Sequence, residues 1–201
     1  MRWAVFPSGN SEAAQACANA WRDAGWRVAV LIDADQPDVR CDMLVRETDY
    51  RGTAAAFNKL MRTIRDWTIA ICVNDDMFPL VCRSDHAEAV FSARFPDGNG
   101  IIQPAVKGFP DLAPAVSPII GRAYGVSPWH EGYWHLHCDD EIRDVAQRSH
   151  LFAYAPELLI DHRHKSIGYA DTLPAEKRRR NDAQHAADAA LYLERKAAGF
   201  P

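Results

Sequence analysis

Apolar and polar positions fall in blocks along this chain, and the blocks read as alternating strands and helices. Trp3 to Phe6 is a short apolar run closed by Pro7-Ser8-Gly9-Asn10, a strand followed by a loop signal. Ser11 can cap the next segment. Glu12 to Ala24 is Ala-rich with Trp21 on its apolar stripe, which predicts a helix stopped by Gly25. Trp26 to Ile32 is a second apolar run and ends at Asp33. Strand, helix, strand in this order predicts a parallel pair. Beyond a polar loop with Pro37, Leu44-Val45-Arg46 predicts a short third strand. From Gly52 to Arg65, the apolar residues Ala54, Phe57, Leu60, Met61 and Ile64 recur at helical spacing.

The next run, Trp67 to Val73, reads as a buried strand suited to the middle of a parallel sheet. It ends abruptly in Asn74-Asp75-Asp76, and Pro79 blocks regular continuation. In open α/β sheets, ligands bind just beyond the carboxyl ends of strands, which is where these acids fall. Adjacent carboxylates repel one another unless something positive sits between them. A divalent cation held by oxygen ligands would serve, and would in turn bind phosphate. The alternative is a solvated Asp-Asp turn, since Asp favours turns.

Ser84 to Phe91 predicts another helix, and Phe95 to Gly100 is a turn cluster. Ile101 to Val106 and Ala115 to Ile120 predict strands whose prolines mark edges or bends. An aromatic, His-rich segment from Tyr124 to His137 leads into Cys138-Asp139-Asp140-Glu141, which opens a helix reaching Arg148. Leu151 to Tyr154 and Leu158 to Ile160 predict two short strands, followed by Asp161-His162-Arg163-His164. From Pro174 the chain is charged and Ala-rich. This predicts a C-terminal helix, 174–201, packed on or extending from a domain spanning 1–173.

With 201 residues, the chain suffices for one sizeable α/β domain. Hydrophobic residues at 48% and charged residues at 25% are ordinary for a globular protein. The net charge of -4 argues against a generally basic, DNA-coating surface, though not against a local basic groove. Five cysteines without a CxxC pair do not make a disulfide framework, so a reducing, cytoplasmic setting is expected. Met1-Arg2-Trp3 leads straight into the first apolar run, so no secretory leader is expected, and no run approaches membrane-spanning length.

Three polar clusters interrupt the apolar pattern at the ends of regular elements, where chemistry concentrates. Besides Asp75-Asp76, these are Asp139 to Glu141 and His162 to His164. Acids at a helix start are also favoured by the macrodipole alone, with Asp139 a good N-cap. His162 and His164 alternate on an extended segment, so their rings face the same way. That suits a metal, or simply a polar loop after an edge strand.

The order of these clusters resembles the GT-A glycosyltransferases, specifically the family-2-like inverting group. Val73-Asn74-Asp75-Asp76 is similar to the family's metal motif, Asp139-Asp140-Glu141 to its acid motif, and Leu151 to His164 to its closing strand and His. The unit ending at Asp33, the tripeptide Tyr50-Arg51-Gly52 and Asn58 are similar to its nucleotide half. The resemblance spans roughly residues 3–165, with two departures: Asn74 replaces the first acid of the metal motif, and the acid motif lacks the usual Glu-Asp order.

The resemblance implies a GT-A-like, Rossmann-like single domain with a mixed, mostly parallel sheet flanked by helices. It implies transfer of a sugar from a nucleotide-sugar, a UDP-sugar being the expected donor, with inversion and with Mn²⁺ or Mg²⁺ as cofactor. Asp76, His162 and His164 would hold the metal, and Asp75 the metal or donor ribose. Asp139, or else Asp140, would be the general base. Pro7, Ser8 and Asp33, ending the first two strands on the same edge, would line the base pocket, with Gly52 and Asn58 also on the donor side. The acceptor, whether a glycan, a lipid-linked sugar, a protein side chain or a modified nucleobase, is not legible. Tyr124, Trp129, Tyr133 and Trp134 could stack on a sugar or base, or pack internally. Lys177 to Arg180 could touch an anionic acceptor, or mark a solvated helix face. Two rivals stand beside this reading. A nucleotidyltransferase would be marked by a Gly-rich, basic loop after the first strand, whereas Pro7 to Asn10 is short and carries no base. A non-catalytic GT-A-like binding module would have no need of the acids and His, although Asn74 is in its favour.

Overall fold

The computed structural model describes residues 1–107, 117–163, 168–169 and 175–201. Strand β1 (Arg2–Ser8) is joined by helix α1 (Ser11–Asp23) to β2 (Arg27–Asp33), a loop leads to β3 (Met43–Glu47), and helix α2 (Thr53–Thr63) joins β3 to β4 (Ile69–Cys72). Then follow β5 (Met77–Val81), α3 (Ser84–Arg94), β6 (Ile101–Lys107), β7 (Ile119–Gly121), α4 (Cys138–Arg148), β8 (Phe152–His162) and α5 (Ala175–Ala197). Among the described residues, all eight strands join one sheet in the order β3-β2-β1-β4-β7-β6-β8-β5.

Strands β1 to β4 are mutually parallel, in register from Trp3↔Arg27 and Arg2↔Ile69. Strand β7 runs antiparallel to both β4 and β6, and β8 is parallel to β6. Two reversals restore direction, so β1, β2, β3, β4, β6 and β8 all point one way. Their carboxyl ends share one edge: Ser8, Asp33, Glu47, Cys72, Lys107 and His162. The sheet is therefore mixed and mostly parallel, as expected, although β4 has a parallel neighbour on only one side.

Alternation along each strand feeds two cores. Ala4 and Phe6 of β1 face a layer with Cys17 and Trp21 of α1 and Phe91 of α3. Trp3 and Val5 face the opposite layer, built from Phe57 and Leu60 of α2, Ile142 of α4, and the Trp129 and Tyr133 rings. Leu191 and Tyr192 of α5 pack onto this second layer. No helix among the described residues is long and apolar enough to cross a membrane.

Two elements differ from the sequence expectation, both through proline. Strand β5 forms where Pro79 was expected to stop regular structure. It is an edge strand, and its register shifts between Pro79 and Val81, so the missing N–H costs no ladder bond. The two short strands expected around Pro156 are one continuous strand, β8. Pro104 pairs with Ala155 but Ala105 with Leu159, and the bulge takes up Pro156. Part of the run expected to begin at Ala115 lies outside the described residues; β7 begins at Ile119.

Candidate active site

The chain leaves β4 through Asn74-Asp75-Asp76 in a tight turn, with Met77 N donating to Asn74 O at 3.1 Å. Ser8, at the end of neighbouring β1, donates from Oγ to Asp75 Oδ2 at 2.5 Å. Burial pushes the Asp75 carboxyl up to about 6; the Ser8 hydrogen bond opposes this, and the Asp76 charge adds to it.

The sheet curls, so β5, last in its order, returns to α1, where Trp21 Nε1 donates to Met77 O at 2.9 Å. In the β5–β8 pair, Met77 lies opposite His162. The curl thereby brings the end of β8 onto the acids after β4. His162 Nε2 stands 3.3 Å from Asp76 Oδ2, and Arg163 N donates to Asp76 O at 2.8 Å. Asp76 Oδ1 is buried without a hydrogen-bond donor among the described residues. A buried carboxylate oxygen lacking a donor is costly unless a cation or a ligand meets it. His164 lies outside the described residues. Among those described, no group of three or more His, Cys, Asp or Glu side chains converges as a complete metal site.

Asp33, at the end of β2, forms an ion pair with Lys177 from the first turns of α5, and Lys177 Nζ also donates to Gly9 O at 2.8 Å. Pro7, Ser8 and Asp33 thus lie on the same edge as Asp75 and Asp76, with Lys177 among them.

Helix α4 leads through a short link into the start of β8 and packs on that strand, so its own start lies at the edge where β8 ends. The N-cap is His137, in the left-handed conformation at φ 63°, so Asp139 sits inside the first turn rather than capping it. Asp140 is held from both sides, by His137 Nδ1 at 2.9 Å and by Arg143 at 3.0 Å. Asp139 has no such side-chain clamp among the described residues; backbone N–H groups of the first turn meet its carboxylate. Burial, and after it the Asp140 charge, push its carboxyl up to about 6. The third acid, Glu141, is structural: it accepts from Tyr133 Oη at 2.7 Å and takes Arg195 of α5 through Nε at 2.9 Å and Nη2 at 2.8 Å.

Gly52 and Asn58 serve the packing of α2. Gly52 adopts φ +100°, and a Cβ there would lie 2.5 Å from Trp134 O. This close approach lets Thr53 N donate to that carbonyl at 2.6 Å. Asn58 is 1% exposed. It donates to Trp129 O at 2.7 Å and Glu131 Oε1 at 3.0 Å, and accepts from Trp129 N at 3.1 Å. Trp129 and Tyr133 are likewise core. Trp134 stays half-buried, in an edge contact with Tyr50 at 5.7 Å, with the Arg180 guanidinium 5.1 Å from both rings.

Sequence reasoning missed Lys177 as a strand-end residue. It also missed Asp188, which is 2% exposed and accepts the backbone N–H groups of Trp134, His135 and Leu136, each at 2.8 Å. A buried acid in a charged, Ala-rich helix carries no signal except its place on the face that Leu191 and Tyr192 also occupy.

No family model matches the chain, and no curated protein matches it in sequence. Solved structures match in shape. S. aureus TarS, residues 1–349, aligns with TM-score 0.59 at 10% identity, over 79% of this chain and 59% of that one. A197 from STIV aligns with TM-score 0.52 at 10% identity, over 86% and 96%. The inositol-1-phosphate CTP transferase from T. maritima aligns with TM-score 0.50 at 9% identity, over 88% and 93%. The aligned region spans about three-fifths of the TarS fragment. These likenesses establish the fold, a GT-A-like α/β domain.

Proposed function

We propose that the protein is a metal-dependent inverting glycosyltransferase, moving a sugar from a nucleotide-sugar, with UDP as the first nucleotide to test, to an acceptor hydroxyl. One observation carries this reading. Asp76, in the turn between β4 and β5, and His162, at the end of β8, meet at the carboxyl edge beside Ser8, Asp75 and Asp33. The GT-A-like fold supports it.

Asp76 and His162 would hold the cation, with the donorless Asp76 Oδ1 as a first ligand, and His164 is a further candidate. Carboxylate oxygen with one imidazole suits Mn²⁺ or Mg²⁺, with phosphate oxygens completing the shell. When bound, such an ion neutralises the charge growing on the departing diphosphate. Pro7, Ser8 and Asp33 would receive the nucleoside, and Asp75 would reach the donor through the Ser8 side of the site. Asp139 would take the proton from the acceptor hydroxyl as its oxygen attacks the anomeric carbon. The bond from that carbon to the diphosphate breaks as the new one forms, and one in-line displacement inverts the centre. Asp140, spent on His137 and Arg143, would hold the helix start in place.

Incubating the protein with UDP-sugars and Mn²⁺, and assaying nucleoside diphosphate release, tests the reading. Release that needs metal and is lost in Asp76→Ala supports it. Pyrophosphate release from nucleoside triphosphate and a sugar phosphate would instead identify a nucleotidyltransferase.

A further inference from the structure

Lys177 reaches the strand ends from a helix anchored elsewhere. Asp188 ties α5 to the 134–136 backbone, and Arg195 ties it to Glu141. The Lys177 side chain is 21% exposed, and its ammonium is divided between Asp33 and the Gly9 carbonyl. Its charge also acts on Asp75, opposing the burial that raises that carboxyl. One cation, held by Asp33 and the Gly9 carbonyl, therefore stands near both the acid that ends β2 and the acids that follow β4. One turn on, Arg180 lies over Tyr50 and Trp134, so the opening of α5 turns cations toward this part of the fold.

The contact with Asp33 conflicts with a donor in the same place. A nucleobase that hydrogen-bonds Asp33 competes with the ammonium for the carboxylate. Lysine is suited to changing partners, with three donors on a flexible four-carbon stem. A diphosphate carries more charge than a carboxylate, and the positive end of α5 favours an anion there.

We propose that Lys177 is a donor-binding residue that exchanges partners: it holds Asp33 in the free protein and passes to the diphosphate when the nucleoside takes Asp33. The proposal rests on reading the strand ends as the donor site. It gives Lys177 opposite effects on the two parts of the ligand, a cost to the nucleoside and a gain to the diphosphate.

Calorimetric titration of the full chain with uridine and with UDP tests it, using wild type, Lys177→Met and Lys177→Arg. Lys177→Met should bind UDP about 10-fold more weakly, the loss of one charge-assisted contact, while binding uridine as tightly or more tightly. Lys177→Arg should keep most of the preference for UDP. Thermal midpoints check folding, and Lys177→Gln replaces Lys177→Met if the latter does not fold. Equal weakening of both ligands would make Lys177 a pocket wall and overturn the proposal, as would no change in either. If wild type binds neither ligand, the donor-site reading fails and takes the proposal with it. If wild type binds both and the ratio is unmoved by substitution, only the role of Lys177 is lost.

Discussion

His162 Nε2 lies 3.3 Å from Asp76 Oδ2, although 86 residues separate them and β7, β6 and β8 intervene between β4 and β5 in the sheet. The curl of the sheet makes the meeting, and the Met77↔His162 pair sets its register. If the two side chains share a cation, Asp76→Ala should abolish Mn²⁺-dependent binding of UDP, and His162→Ala should weaken it about 10- to 100-fold. An imidazole ligates only when neutral, so the metal-dependent part of the affinity should fall on acidification in wild type. Titrating Mn²⁺ at several pH values in both variants reads this out. Unchanged Mn²⁺ affinity in both would leave the pair as a structural contact between strand ends.

Asp139, with its carboxyl near 6, is ionised at neutral pH yet basic enough to accept a proton. Turnover should rise with pH through about 6 and level off above it, because the base must be deprotonated. Asp139→Asn should lower kcat by roughly 10²- to 10⁴-fold with little change in donor affinity. Asp140→Asn should act differently. It loosens the His137 and Arg143 contacts and should lower stability along with rate. A pH profile and a donor titration on both variants separate the roles. If Asp140→Asn alone abolishes turnover while the fold keeps its stability, the base is Asp140.

The βα units were legible because Trp3–Phe6, Trp26–Ile32 and the 54–64 stripe carry clean periodicity. Pro79 and Pro156 misled the reading. Sequence shows the missing N–H but not the bulge or the sheet edge that makes it harmless. Asp75, Asp76 and Asp33 could be placed at one edge, since the end of a strand is a local property. Lys177 and Asp188 could not be placed. A helical charge points toward the site or toward solvent according to how α5 docks, and that depends on distant partners such as Glu141. Gly52 and Asn58 looked like ligand contacts because a conformationally demanding glycine and a buried amide have the same composition whether they face a donor or the 129–134 backbone.

Asp188 offers a test of how far α5 organises that backbone. Its carboxylate accepts three successive N–H groups just before α4. Removing it leaves three partly buried donors unmet, a cost on the order of 2–4 kcal/mol after solvent reaches some of them. Asp188→Ala should lower the urea midpoint accordingly, and Asp188→Asn, which keeps one acceptor, should cost less. A change within ~0.5 kcal/mol for Asp188→Ala would show that the 134–136 turn holds itself.

The weakened acidity of Asp139 also has a consequence for stability that needs no substrate to measure. In the unfolded chain this carboxyl returns to the ordinary aspartate range near 3.8, while in the fold it lies at about 6. Between those values the folded state binds more protons than the unfolded state, so stability falls as pH rises and is flat above the folded value. The ionised Asp139 therefore weighs against folding at pH 7, by about 1–3 kcal/mol from a shift of this size. Asp139→Asn removes the charge, its desolvation and its repulsion from Asp140. The variant should be more stable than wild type at pH 7, and the gain should vanish near pH 4. Chemical denaturation across pH 4–8 reads the difference directly. A destabilised Asn variant at pH 7 would mean that the carboxylate is held by favourable contacts, which would also remove the reason for expecting it to act as a base near neutrality. A stabilised variant without turnover is the signature of a residue kept for chemistry at the expense of the fold.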